Sequence, residues 1–428
     1  MSASEANPST SVARPAGPDA ELLRAAQKVR EVGRALDERY LDKSEIVRML
    51  LVTLVAGEHM LIVGPPGTAK SALVRHLARL VDARYFEYLL TRFSEPNEIF
   101  GPVDIKAFRE GTFVRRVEAM LPDAEIVFLD EIFKSNSAIL NALLSILNER
   151  RFFTGSATIR VPLCSLFGAT NEVPNDDALG AIFDRFIVRT LSENLDSFHF
   201  HGLVERGIRA EADQIGAWLE RGVQREAAAT EASAGAGGLE DTRPLVTLAE
   251  VRRLQQRLPQ FMRFTEEFLA RYKGLIFQLR SEGVSVSDRR VVKLLKLFAA
   301  SALIDGRPTA HDGDFFVLRH VWNSTDQIPI LEDIVGPVLE KHHREHPEER
   351  RTRATAADLD GILAELGVIR GVLLGGEPLS DVQLFSQLRN LQDIRAALQV
   401  LGTETAQQMA GEVDKLLEGV FESSKWNG

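Results

Sequence analysis

At 428 residues, 45% hydrophobic and 26% charged, the chain exceeds one ordinary hydrophobic core and reads as two or three globular domains. Its formal net charge of −10 argues against wholesale coating of nucleic acid, so no nucleic-acid partner is expected. A single cysteine, Cys164, excludes an intramolecular disulfide and suits a reducing compartment.

The first stretch, residues 1–19, is polar and rich in Ser, Ala and Pro, without the basic-then-apolar layout of a secretory signal. It reads as a disordered lead-in. From about Pro18 to Ala56 the apolar residues recur at helical spacing, with Ile46, Val47, Leu50, Leu51, Leu54 and Val55 on one stripe. The longest apolar region, MLLVTLVAGEHMLIV, is interrupted by Glu58 and His59 and is too short to span a bilayer. No membrane insertion and a cytoplasmic location are therefore expected.

The run HMLIV then predicts a buried parallel strand, followed by the loop GPPGTAKS (64–71) and a helix from Ser71 to about Val81. A second strand is predicted at EIVFLD (125–130), ahead of the helical NSAILNALLSILNER. LCSLFGATN (163–171) predicts a third, and FIVRTL (186–191) a fourth. Strands alternating with helices predict an α/β domain with a parallel sheet wrapped on both faces. Two inserted stretches, VDIKAFREGTFVRRVEAM and RRFFTGSATIRV, alternate around turn glycines and read as hairpins. Residues 225–244 are Ala/Gly/Glu-rich and read as a flexible linker. Beyond them the pattern is helical. The expected division is a core over 20–224, an all-α lid over 245–327 and a helical C-terminal extension over 328–428. In that extension Leu359, Ile362, Leu366, Ile369 and Leu373 step by three and four, as in a self-packing bundle.

GPPGTAKS is one residue from the pattern G-x-x-x-x-G-K-[ST]. Such a loop holds phosphate because successive backbone N–H groups turn inward and the following helix offers its positive end. Gly64 and Gly67 supply backbone freedom, with Pro65, Pro66, Thr68 and Ala69 completing the cradle. Lys70 can reach the β- and γ-phosphates, and Ser71 can ligate Mg²⁺. Ala69 stands where glycine is usual; if its φ is negative, the methyl costs little. IVFLDE places two carboxylates at a strand end, where open α/β sheets bind ligands. Asp130 would then hold the Mg²⁺ shell, and Glu131 would act as general base on the attacking water. Asn171 closes the third strand and can face the same edge, although an Asn there also serves as a plain turn residue. Arg185, in FDRF, suits a phosphoryl group supplied by a neighbouring subunit; the plain alternative is an ion pair with Asp184. Arg289 and Arg290 open a helix after Ser287, against the helix dipole, which suggests work on phosphate. Arg289 is the candidate and Arg290 the reserve. His342, His343 and His346 could seat a metal at helical spacing, but a solvated charged helix is the expected reading.

Taken in order, GPPGTAKS, IVFLDE, GATN, FDRF and SDRR resemble an AAA+ ATPase of the MoxR family. YLLTRFSEPNEIFGPVDI, FLDEIFKSNSAILNALLSILNER and VSDRR look most like its RavA-type branch, whose members also carry alanine before the loop lysine. The resemblance runs from about Leu23 to Asp326. It implies an AAA+ P-loop domain, a helical lid, ATP and Mg²⁺ as cofactors, and a homo-oligomeric, hexameric ring with nucleotide at subunit boundaries. By motif, Lys70, Ser71, Asp130 and Glu131 match Walker A and B, Asn171 sensor 1, Arg185 the arginine finger and Arg289 sensor 2. The insertions resemble pore-facing ones, through which Phe108, Phe113, Phe152 and Phe153 would meet a client unless they pack as hairpin core. The family implies a partner with a von Willebrand A domain and an ATP-driven remodelling role. A nucleotide-gated scaffold and a metal-chelatase motor are the alternatives.

Overall fold

The structure is a computed structural model, and it describes residues 19–155, 157–174, 179–195, 243–346, most of 356–374 and 404–424, and scattered residues within 204–212 and 387–398. The expected disordered lead-in up to residue 18 and nearly all of the expected linker lie outside the described residues.

The helical N-terminal stretch divides into α1 (Ala20–Arg39) and α2 (Ser44–Ala56). Asp19 caps α1 by accepting the Leu22 N–H, and α2 is buried along almost its whole length. Next come β1 (Met60–Val63) and α3 (Lys70–Leu80). All four β1 residues are buried, as expected of a strand covered on both faces. β2 (Tyr85–Leu89) was not predicted, and it forms the edge of the sheet. Short helices α4 (Pro96–Phe100) and α5 (Ile105–Arg109) follow. The frame then continues with β3 (Ile126–Asp130), α6 (Ser137–Glu149), β4 (Arg151–Thr154), β5 (Ala157–Arg160), β6 (Ser165–Thr170), α7 (Gly180–Phe183) and β7 (Val188–Leu191).

The sheet runs β2-β3-β6-β1-β7, and every pairing in it is parallel. All strands therefore deliver their carboxyl ends to one edge. His59, just before β1, is fully buried: Leu166 N–H donates to its Nδ1 (3.0 Å), and Nε2 lies 2.6 Å from Arg150 Nη1 and 3.3 Å from Leu147 O.

Of the two inserted stretches, the second is the expected antiparallel hairpin, β4 with β5. The first is not. It holds α5 and a single bridge, Val103 with Arg115. Asp104 nucleates α5 by accepting the Lys106 and Ala107 N–H groups, and this local cap displaces a second ladder. The insertions meet where Arg115 N–H donates to Thr154 Oγ1 (3.2 Å), and Phe152 of the second stacks on Phe100 at the end of α4 at 5.0 Å. Phe152 is thus core, while Phe108 and Phe153 are exposed.

The helical region comprises α8 (Leu248–Arg257), α9 (Glu266–Ser281), α10 (Asp288–Ile304) and α11 (Ile328–Glu345), then α12 (Ala356–Leu374) and α13 (Glu404–Ser424). One buried cluster runs from Leu22 through the sheet to Leu339, so α8–α11 share the core of the sheet. Helix α11 therefore packs with the main body, although the sequence-based boundary at 328 assigns it to the extension. Glu58 reinforces that join, its buried carboxylate lying 2.6 Å from Lys293 Nζ and 2.7 Å from Lys296 Nζ, both on α10. Helices α12 and α13 contribute to a second, separate cluster that joins Ile362, Leu366 and Ile369 of the stripe predicted from spacing to Val413 and Leu417, with Leu373 partly buried against it; the side chain of Leu359 lies outside the described residues. Among the described residues, no helix is long and apolar enough to cross a membrane.

Candidate active site

The loop after β1 is held by its own groups. Gly64 N–H donates to Thr170 O (3.0 Å), Thr68 Oγ1 to Pro65 O (3.0 Å), and Ser192 Oγ to Thr68 O (3.3 Å). Gly64 has φ +155, and a Cβ there would sit 2.0 Å from Ser192 O, so only glycine fits against the end of β7. Lys70 is buried, and its Nζ donates to Gly64 O (2.7 Å) and Pro65 O (2.8 Å). The lysine is stowed on the rim of the cradle it would serve. Helix α3 has no side-chain cap, which leaves its first amides open to an anion. Ser71 lies half-buried in that first turn, whereas Pro65, Pro66 and Gly67 are exposed.

Ala69 overturns the condition placed on it. It caps α3 with φ +62 and ψ +20, in the left-handed region, where an L-residue costs roughly 1–2 kcal/mol. The methyl is tolerated under strain and does not favour the helix. Ala69→Gly is accordingly expected to stabilise the nucleotide-free protein by roughly 0.5–1 kcal/mol, after allowing for the extra freedom of glycine in the unfolded chain. A rise in calorimetric midpoint checks this; a fall would show that the neighbouring contacts hold Ala69 without strain.

At the end of β3, Asp130 Oδ1 accepts the Glu131 N–H (3.0 Å). Burial raises the pKa of Asp130, while the charge on nearby Lys70 opposes the shift. Burial lowers the pKa of Lys70, and Asp130 and Glu131 pull it back up. The lysine and the acid pair thus feel each other across the carboxyl edge. Glu131 is buried with φ +52, a strained backbone of the kind that clusters at functional sites. Strand β6 lies between β1 and β3, so Asn171, just past its end, stands between loop and acids. Asn171 Nδ2 donates to Glu131 Oε1 (2.5 Å), which is more than a turn residue needs. Lys134 Nζ lies 3.1 Å from the same oxygen. Lys134 escaped the sequence reading, since one lysine at the start of a helical segment carries no signal of its own.

Arg185 and Arg289 are placed elsewhere. Arg185 lies three residues before the start of β7, close to Ile187, whose N–H donates to His59 O at the amino edge of the sheet. Arg289 Nη2 donates to Asn148 Oδ1 (3.0 Å), at the far end of α6, and Arg289 Nη1 lies 4.0 Å from Asp184 Oδ2. Arg185 Nη1 lies 3.5 Å from the same Asp184 oxygen, which realises the ion pair weighed as its plain alternative. The two arginines are together, but a strand length of about 13 Å separates that edge from the loop of their own chain. Arg290, the reserve, is a structural residue. It is buried and donates to Val321 O (2.6 Å), Ile187 O (3.2 Å) and Asn323 Oδ1 (2.9 Å), fastening α10 to the sheet. Burial pushes its pKa down to about 10. Arg189 does similar work with Trp322 O (2.6 Å) and Phe183 O (3.2 Å). The histidine rings of His342 and His311 pack at 4.3 Å, and among the described residues no group of three or more His, Cys, Asp or Glu is arranged to hold a metal.

Comparison with known proteins adds the family. Residues 27–225 match the family model for the MoxR domain in the MoxR-vWA-beta-propeller ternary systems, and residues 268–335 match the AAA lid domain. The chain is 34% identical over 326 residues to an uncharacterised protein of Methanocaldococcus jannaschii, covering 75% of this chain and 76% of that protein. A second uncharacterised protein of the same organism is 37% identical over 306 residues, covering 70% and 72%. Chaperone MoxR1 of Mycobacterium tuberculosis is 28% identical over 153 residues, 36% of this chain and 39% of that one. A solved structure from Cytophaga hutchinsonii, described as a candidate ATPase, shares the fold with a TM-score of 0.56 at 18% identity, over 75% of this chain and 96% of that one. With an α/β sheet domain, a helical lid and a helical C-terminal region, the chain belongs to the MoxR family of AAA+ ATPases.

Proposed function

We propose that this chain hydrolyses Mg²⁺·ATP at a site shared between two copies, and uses the cycle to remodel or activate a protein partner. The observation that carries the reading is the division of the candidate residues. Lys70, Asp130, Glu131 and Asn171 face one sheet edge, while Arg185 and Arg289 cluster near the other. One complete site therefore needs a second copy.

The local chemistry supports each role. Lys70 exchanges the Gly64 and Pro65 carbonyls for the β- and γ-phosphate oxygens, joined by the first amides of α3. The Ser71 hydroxyl and the Asp130 carboxylate, both half-buried, are hard oxygen donors suited to Mg²⁺. When bound, Mg²⁺ neutralises phosphate charge. Glu131 accepts the proton of the attacking water, and Asn171 fixes the carboxylate that does so. Arg185 and Arg289 stabilise charge on the phosphoryl group of a neighbouring copy.

The finer points extend the same reading: a cytoplasmic hexameric ring, closest to the RavA-type branch, with a von Willebrand A domain partner of the kind named in the matched family model. A second reading, a nucleotide-gated scaffold, is favoured by the separate core of the C-terminal helices and by Leu363, Val368 and Val372 exposed on α12. Truncation to separate the two should begin after His346, because α11 belongs to the main core.

The test is turnover per copy against protein concentration. It should rise as copies associate, and Lys70→Ala should abolish it at every concentration. Turnover that stays flat over dilution to the monomer removes the shared site. Hydrolysis that survives Lys70→Ala removes the enzyme reading.

A further inference from the structure

Asp184 immediately precedes Arg185 and stands where the sheet domain meets α10. Its Oδ1 accepts from Ser287 Oγ (3.1 Å), and that hydroxyl also caps α10 by accepting the Arg290 N–H (3.3 Å). Its Oδ2 faces Arg185 Nη1 at 3.5 Å and Arg289 Nη1 at 4.0 Å. Burial lowers the pKa of both Arg189 and Arg290, and in each case the charge of Asp184 opposes that shift. Four guanidiniums therefore share the field of one carboxylate.

Their surroundings divide them. Arg189 and Arg290 are occupied by backbone carbonyls. Arg185 and Arg289 are half-buried, and Asp184 is the anion that both reach. One comes from the sheet domain and the other from the lid, so without a common anion their like charges would drive them apart. Contacts of 3.5 and 4.0 Å are looser than a bidentate arginine–carboxylate pair, and both guanidiniums can exchange them for the stronger bonds of a phosphate.

We propose that Asp184 is a positioning residue, a resident counter-ion that holds Arg185 and Arg289 at one point for the triphosphate of a second copy. This rests on the reading that the two arginines act across a boundary between copies. Asp184 would touch no substrate itself.

The experiment is steady-state and single-turnover ATP hydrolysis by the full chain, with nucleotide affinity and thermal midpoint recorded for every variant. Asp184→Asn is expected to lower kcat about tenfold. KM and the nucleotide Kd should stay within about twofold, because the cradle of the same copy is untouched. Asp184→Glu, which keeps the anion, should retain most of kcat and covers the case in which the amide fails to fold. In an Arg185→Ala, Arg289→Ala background, Asp184→Asn should have no further effect. Wild-type kcat in Asp184→Asn, together with loss in the arginine variants, overturns this proposal alone. So does an undiminished tenfold loss in the background without the arginines, which would mark a purely structural role. Wild-type turnover in the arginine variants overturns the shared-site reading, and this proposal with it.

Discussion

Glu131→Gln is expected to lower ATP turnover by about a thousandfold while leaving nucleotide binding within a few-fold of wild type. The substitution keeps side-chain length and removes the basic oxygen. Asn171 can still donate to the remaining carbonyl, so the geometry fixed by the 2.5 Å contact persists without a proton acceptor. Lys70, Ser71 and the first amides of α3 are unaltered, which keeps the phosphate cradle intact. The strained left-handed backbone at 131 is equally open to Gln, so no separate folding penalty arises. Phosphate release and titration with a fluorescent nucleotide check the two halves. Near-normal turnover would transfer the role of base to another group. A matching loss of binding would show Glu131 to be a structural support of the cradle.

A milder effect at the same place concerns Asn171. Its amide fixes the carboxylate through one hydrogen bond, so Asn171→Ala should cost less than loss of Glu131 itself, on the order of ten- to a hundredfold in kcat. The ranking of the two variants in one assay tests the assigned order of roles.

The legible part of this molecule was the part written locally. The runs HMLIV and IVFLD are continuous apolar strands, and the loop between the first of them and α3 announces itself by composition. Asp130 and Asn171 could be placed on one edge because parallel strands share their carboxyl ends. β2 went unread because YFEYL is half-buried over Tyr85–Tyr88 and exposed at Leu89; its Glu87 is pinned by Arg75 from α3, and no apolar run marks it. The first insertion has the alternation of a hairpin, but the Asp104 cap turns its middle into α5. The sign of φ at Ala69 was likewise out of reach, since a helix-former at a cap gives no hint of left-handed backbone. The separation of the arginines is a long-range fact. Ser287 and Asp184 are far apart in sequence, and only the packing of α10 on the sheet brings Arg289 beside Arg185 and leaves Arg290 buried.

That separation also sets the second large expectation. Lys70→Ala and Arg185→Ala should each be nearly inactive alone, the latter by about a thousandfold, yet an equimolar mixture should recover activity. A copy lacking Arg185 still offers an intact cradle at its carboxyl edge. A copy lacking Lys70 still presents Arg185 and Arg289 beside Asp184. Where the second lies against the first, one whole site is rebuilt. Random assembly places that arrangement at about one boundary in four, so roughly a quarter of wild-type turnover should return. Had Arg185 served the cradle of its own chain, no mixture would contain an intact site and the activities would only average. Mixed assemblies that form, as judged by sizing or light scattering, but stay inactive would therefore place the arginine and the lysine in one copy. That outcome would require α10 and the segment before β7 to cross a full strand length, which the buried ties of Arg189 and Arg290 to Trp322, Val321 and Ile187 oppose.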